Sequence, residues 1–261
     1  MKKLLLAFQF LTIIPVRDFG EVDEQDMGRA TIFFPVVGLV EGSLLAVLAV
    51  LLLKVFPPEV VNALLVLMLV IMNGGLHLDG LADTFDAVAS RGNLDRKLAI
   101  MKDSSTGPVG VIAIVMTLLL NYVLLNAVHA EAKGSMFFAV LVLMSLSARW
   151  TLLPAIYYSK SARQDGLGRM FIEHTGTKEF VIATVLTLFI VMGCSIIFSD
   201  INLFAFYGML IFPVLYALSV MAVWFFNNHF EGLTGDSFGA VNEIARMTYL
   251  IVVLIWLQKY T

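Results

Sequence analysis

Residues 60–76 read VVNALLVLMLVIMNGGL and residues 77–86 continue as HLDGLADTFD, so an apolar run long enough to cross a bilayer ends in the carboxylates Asp79, Asp83 and Asp86. On a helix, offsets of four and seven residues return to nearly one face, which aims all three at a single cation or polyanion. The bland alternative is a helix start decorated with acids and favoured by its dipole. Carboxylates crowded on one face repel one another unless a cation neutralises them, which favours a functional site. Carboxylate-only donors indicate a hard ion, Mg2+ rather than zinc. His77 is a hydrogen-bond partner or proton carrier beside them, although a lone interfacial histidine is more often structural.

Outward from this stretch, composition sets the class. Hydrophobic residues make up 59% of the 261 and charged residues 14%, with a mean hydropathy of +0.90, more apolar surface than a soluble domain of this length needs. The expected fold is all-α, a polytopic integral membrane helix bundle forming one catalytic domain over residues 1–261. A net charge of −3 without a polybasic tail argues against nucleic-acid partners and against electrostatic attachment to anionic lipid. Cys194 sits in an apolar run without a partner, so no intramolecular disulfide is expected and the thiol is a packing residue.

Apolar stretches recur at 32–56, 60–76, 109–128, 136–158, 180–198, 203–226 and 244–257, giving seven expected spans. Met1-Lys2-Lys3 and the run 4–14 resemble the first parts of a signal peptide, but the run ends at Pro15-Val16-Arg17-Asp18 without a small-x-small cleavage site. Eleven residues reach only about 16 Å, short of the roughly 30 Å of hydrocarbon, so an interfacial or bundle-packed helix is expected there. The connections alternate between long charged segments, at 17–31, 79–108, 159–179 and 227–243, and short ones at 57–59, 129–135 and 199–202. The long segments hold most of the basic residues, among them Arg29, Arg96, Lys102, Arg163 and Arg169. By the positive-inside rule they face the cytoplasm, leaving the N-terminus in and the C-terminus out.

Two further constellations fall on that side. In Gly232–Glu243 the glycines suit a tight loop, Thr234 and Ser237 offer hydroxyls, and Asp236 with Glu243 completes a metal shell or supplies a base. Alone it reads equally as a helix-capping turn with Asp236 as N-cap. Lys102-Asp103-Ser104-Ser105-Thr106-Gly107-Pro108 is either a phosphate grip or an ordinary helix start. Arg149 and Glu41 lie about nine residues, roughly 13 Å, inside their spans, where a charge faces a cavity or a partner. The two are expected to pair, with Arg149 also available to a substrate phosphate.

These motifs, in order, resemble the cobalamin synthase family, adenosylcobinamide-GDP ribazoletransferases. The resemblance rests on Gly74-Gly75 before His77-Leu78-Asp79-Gly80-Leu81-Ala82-Asp83, then Asp95-Arg96, Met101-Lys102-Asp103-Ser104, Gly166-Leu167-Gly168 and Thr234-Gly235-Asp236 with Gly239-Ala240 and Glu243. It includes Phe10-Leu11-Thr12, Arg29 and Phe34-Pro35-Val36-Val37-Gly38 near the start. The resemblance implies transfer of the cobinamide-bearing phosphate of adenosylcobinamide-GDP to ribazole or ribazole 5′-phosphate with release of GMP, in a bacterial or archaeal cytoplasmic membrane. It implies Mg2+ held by Asp79, Asp83 and Asp236, with Asp86 a further ligand or nearby acid and Glu243 or His77 assisting deprotonation. Arg96, Lys102 and Arg149, with Asp103 and Thr234, would meet the phosphates. Membrane lipid is the remaining partner, and homo-oligomerisation stays open. Arg246 stands where a second acid is expected after Glu243, and Glu41 where an apolar residue is expected. A CDP-alcohol phosphotransferase-like enzyme is the nearest enzymatic alternative, and a cation-coupled transporter the non-enzymatic one.

Overall fold

The computed structural model describes residues 1–15, 23–103, 105–198 and 201–260; Val16, Arg17, Asp18, Ser104 and positions 199–200, which figure in the motifs and connections above, lie outside them. The helices are α1 Lys2–Leu11, α2 Glu24–Ala30, α3 Phe34–Leu52, α4 Pro58–Met72, α5 Leu76–Ala89, α6 Leu94–Ile100 and α7 Pro108–Glu131. They continue as α8 Met136–Tyr158, α9 Leu167–His174, α10 Thr177–Ile197, α11 Ile201–Phe206, α12 Phe212–Phe230 and α13 Gly235–Tyr260. No strand forms among the described residues, and one isolated bridge joins Ser161 to Leu233.

Among the described residues six helical segments are long and apolar enough to cross a membrane, and α4 with α5 makes a seventh if the pair counts as one broken span. The molecule is therefore a multi-pass membrane helix bundle of six or seven spans, the expected seven being reached when the broken pair counts as one. The span expected at 60–76 is not straight: α4 stops at Met72 and α5 departs at 85°. Gly75, in the left-handed region at φ 74°, makes the turn, a conformation that costs a side-chain-bearing residue about 1–2 kcal/mol.

The last span also begins earlier than the hydropathy run at 244–257. Its N-terminus is fixed by a reciprocal cap, in which Ser237 N donates to Thr234 Oγ1 at 3.2 Å and Thr234 N donates to Ser237 Oγ at 3.1 Å. Most of the segment 232–243 is thus helix rather than loop, and the capping residue is Thr234 in place of Asp236. The short N-terminal run becomes α1, which buries Leu6, Ala7 and Leu11 against the bundle. Cys194 is buried and free, as expected of a packing residue.

The helix α8 is the hub. In its most apolar stretch 94% of residues are buried, against 28% in each of α7, α10 and α12, whose outer faces meet lipid. Apolar burial cannot drive helices together inside hydrocarbon, so close packing must. Gly38 and Gly42 on α3 supply it: a Cβ on either would stand 2.6 Å from a backbone oxygen of α8, at Ser145 and Val142.

Candidate active site

The acidic residues are assembled by a backbone-to-backbone contact between α5 and α13. A Cβ on Gly80 would lie 2.5 Å from the Asp236 carbonyl oxygen, and one on Gly239 would lie 2.7 Å from the His77 carbonyl oxygen. His77 opposite Gly239 and Gly80 opposite Asp236 make the two helices run antiparallel here. In consequence the charges of Asp79, Asp236 and Asp86 all bear on Asp83, with Arg163 opposing them. Asp83 is buried, Asp236 half-buried and Asp79 exposed, so the cluster grades from the protein interior to its surface.

The carboxylates differ in their commitments. Asp86 gives both oxygens to the start of α7, accepting from Gly107 N at 2.7 Å and Gly110 N at 2.8 Å. It anchors the loop 102–107 to α5 and neutralises the positive end of a helix. Asp236 lies 3.1 Å from the Arg163 guanidinium and accepts a long hydrogen bond of 3.5 Å from Thr234 Oγ1. Among the described residues, the one trio whose ligand atoms fall within 4.8 Å of one another is Glu24, Glu173 and His174. Arg169 already bridges its two carboxylates at 2.7 and 2.8 Å. Asp79, Asp83 and Asp236 form no closed cage of that kind. Their all-oxygen donor set suits the binding mode in which Mg2+ takes one or two carboxylates, keeps several waters and shares substrate phosphates.

Beneath the acids runs a buried polar network. Arg149, fully buried, donates through Nη2 to Glu41 at 3.0 Å and to the Leu11 carbonyl at 3.3 Å, and also to Asn73 Oδ1. Its Nη1 donates to Asn242 Oδ1 at 3.1 Å and meets His77 Nε2 at 2.8 Å. Asn73 Nδ2 donates to Glu41 at 2.9 Å. The expected Glu41–Arg149 pair is therefore present, and every donor-rich edge of Arg149 faces protein. His77 Nδ1 lies 4.0 Å from Glu243, whose two oxygens accept from Arg246 Nη1 at 2.9 and 2.8 Å. Two acids and two arginines balance, which is how four charges persist at membrane depth.

The remaining residues singled out in the sequence lie nearer the surface. Lys102 is exposed and pairs with Asp165 at 3.3 Å, Asp103 accepts from Ser105 N at 3.1 Å, and Arg96 is exposed on α6. Sequence reasoning missed Arg163. It counted only as one of the basic residues that orient the chain, and no motif marks it, yet it pairs with Asp236.

The bundle, with acidic and basic side chains gathered where α5 meets α13, defines a polytopic membrane protein with a charged polar site. A sequence model described as cobalamin-5-phosphate synthase matches residues 3–254, and the chain belongs to that family; it is a transferase of cobalamin biosynthesis. A curated relative named adenosylcobinamide-GDP ribazoletransferase from Geotalea daltonii is 37% identical over 97% of this chain and 97% of its own. Namesakes from Clostridium acetobutylicum and Thermodesulfovibrio yellowstonii are 34% and 33% identical, covering 97% and 98% of this chain and 95% and 96% of theirs. No solved structure matches.

Proposed function

We propose that this chain is an Mg2+-dependent adenosylcobinamide-GDP ribazoletransferase of a prokaryotic cytoplasmic membrane, with its site on the cytoplasmic side. The observation that carries the reading is the α5–α13 contact, which gathers Asp79, Asp83 and Asp236 at the end of the bundle bearing the long basic loops. In the reaction, a ribazole hydroxyl attacks the phosphorus bonded to cobinamide. A new P–O bond forms to ribazole, the bond from that phosphorus to the bridging oxygen breaks, and GMP leaves with the electron pair. Such transfer depends on positioning and charge neutralisation more than on covalent catalysis.

Asp79, Asp83 and Asp236 would hold Mg2+, which when bound supplies positive charge against the pyrophosphate. Arg163, Lys102 and Arg96 add cationic charge around it, and Asp86 acts through the 102–107 loop it anchors. The hydroxyl proton passes to a base drawn from the His77–Glu243 pair, 4.0 Å apart. Arg149, closed off by its own partners, supports the site by holding His77 and Asn242 in place.

The test is turnover by the purified protein in detergent. GMP release from adenosylcobinamide-GDP that requires both ribazole and Mg2+ supports the reading. Absence of release, or solute flux across reconstituted vesicles without turnover, overturns it.

A further inference from the structure

Between α1, α5, α8, α9 and α13 lies a cavity of about 230 Å³ that the acid cluster only borders. Its lining is of two kinds. Arg163, Thr234 and Asp236 are its polar lining, while Phe10, Leu11, Leu76, Leu152 and Phe238 are apolar, with His77 among them. A lining of both kinds fits a ligand that is itself part polar and part apolar.

Arg163 stands where this cavity meets two open grooves, of about 450 and 660 Å³. Its Nη2 is committed to Asp236 Oδ2 at 3.1 Å, and its Nε is shielded and makes no hydrogen bond among the described residues. A guanidinium shared by the linings of three cavities is suited to an oxyanion such as phosphate. The same lining holds two helix starts: a Cβ on Gly168 would be 2.6 Å from Gly235 N, so α9 and α13 begin side by side, with their positive ends together. The volume sets a limit as well. Small-molecule sites run to roughly 300–1,000 Å³, so 230 Å³ admits a fused aromatic ring system and excludes a macrocycle carrying a nucleoside diphosphate.

Resting on the proposed function, we infer that this cavity is the acceptor site. Its apolar residues receive the aromatic base of the attacking nucleoside, and Arg163, shared with the two grooves, meets the phosphate under attack. The larger donor lies across the open grooves on the other side of Arg163. Arg163 thereby separates the two substrates, and Phe10, Leu76 and Leu152 select the acceptor by its flat, apolar base.

Steady-state GMP release by the full-length protein in detergent, varying each substrate in turn, tests the assignment. Leu76→Trp fills the cavity from a residue that is 49% exposed, so the bundle has room to keep its fold. The expected result is a KM for ribazole raised by about tenfold or more, the worth of one apolar contact in a pocket, with the KM for adenosylcobinamide-GDP unchanged. Phe10→Ala removes contact from the α1 side of the lining and is expected to raise the same KM, which keeps the test open if the first variant folds poorly. Equilibrium dialysis of ribazole alone should show the same weakening in both variants. An active enzyme whose ribazole KM and ribazole binding are unmoved by both substitutions, or whose KM rises only for the donor, overturns the acceptor site and leaves the proposed function standing. A wild-type protein that releases no GMP overturns the proposed function itself.

Discussion

Glu41 on α3 and Arg149 on α8 meet at 3.0 Å with both side chains 1% exposed, an ion pair sealed inside the helix bundle. Removing one partner strands the other charge in low dielectric, which costs about 3–5 kcal/mol. Glu41→Leu is expected to lower Tm strongly in detergent. The double variant Glu41→Leu, Arg149→Met should recover part of that loss, because no lone charge remains. Thermal unfolding of the two variants and the wild type checks this, and equal Tm values for all three would remove the pair from the stability of the fold.

Gly80 is a lever on the site. A methyl group there must displace the Asp236 backbone from 2.5 Å, so Gly80→Ala pushes α5 away from α13 and separates Asp83 from Asp236. Overpacking of this kind costs about 1–3 kcal/mol. The activity loss should exceed what the fall in Tm explains, measured as GMP release at a temperature where the variant remains folded.

Asp83→Asn keeps the shape of the side chain and removes its charge from the cluster formed with Asp79 and Asp236. Loss of one preorganised electrostatic contact lowers turnover by about 10²–10³-fold. Tm should hold or rise, since a buried like-charge repulsion is relieved. Near-normal turnover would take Asp83 out of the metal shell.

Chelation distinguishes the wild type from that variant. EDTA should abolish wild-type GMP release and added Mg2+ should restore it, whereas Asp83→Asn should need a higher Mg2+ concentration for half-maximal rate. Full activity in EDTA would overturn the metal requirement.

Asp86 should behave as an anchor. Asp86→Ala frees the Gly107 and Gly110 N–H groups it caps at 2.7 and 2.8 Å, and loss of a cap costs about 0.5–2 kcal/mol. Asp86→Asn retains one accepting oxygen and should recover much of both Tm and rate. A carboxylate that itself bound metal would be missed equally in both variants.

Much of this arrangement was legible in local sequence. The apolar runs marked the spans because hydropathy is summed residue by residue over one segment, whereas the bend at Gly75, inside the run read as one span, did not show in it. The depth of Glu41 and Arg149 sufficed to expect their pairing, since neither charge is tolerable alone there. The end of the last span was misread for an equally local reason. Asp236, Glu243 and Arg246 lower the hydropathy of the first turns of α13, while the cap between Thr234 and Ser237 starts the helix regardless.

The sequence by itself determined that this is a membrane helix bundle of about seven spans, with family motifs in order along nearly the whole chain, because both are properties of contiguous residues. Only the tertiary structure decided what those motifs meet. It set Asp236 against Gly80, gave both oxygens of Asp86 to the start of α7, enclosed Arg149 among Glu41, Asn73, His77 and Asn242, and brought the unmarked Arg163 to Asp236. Each of these contacts depends on the register between helices far apart in sequence. That register is fixed by where two glycines let backbones touch, a property of pairs of segments that neither segment carries alone.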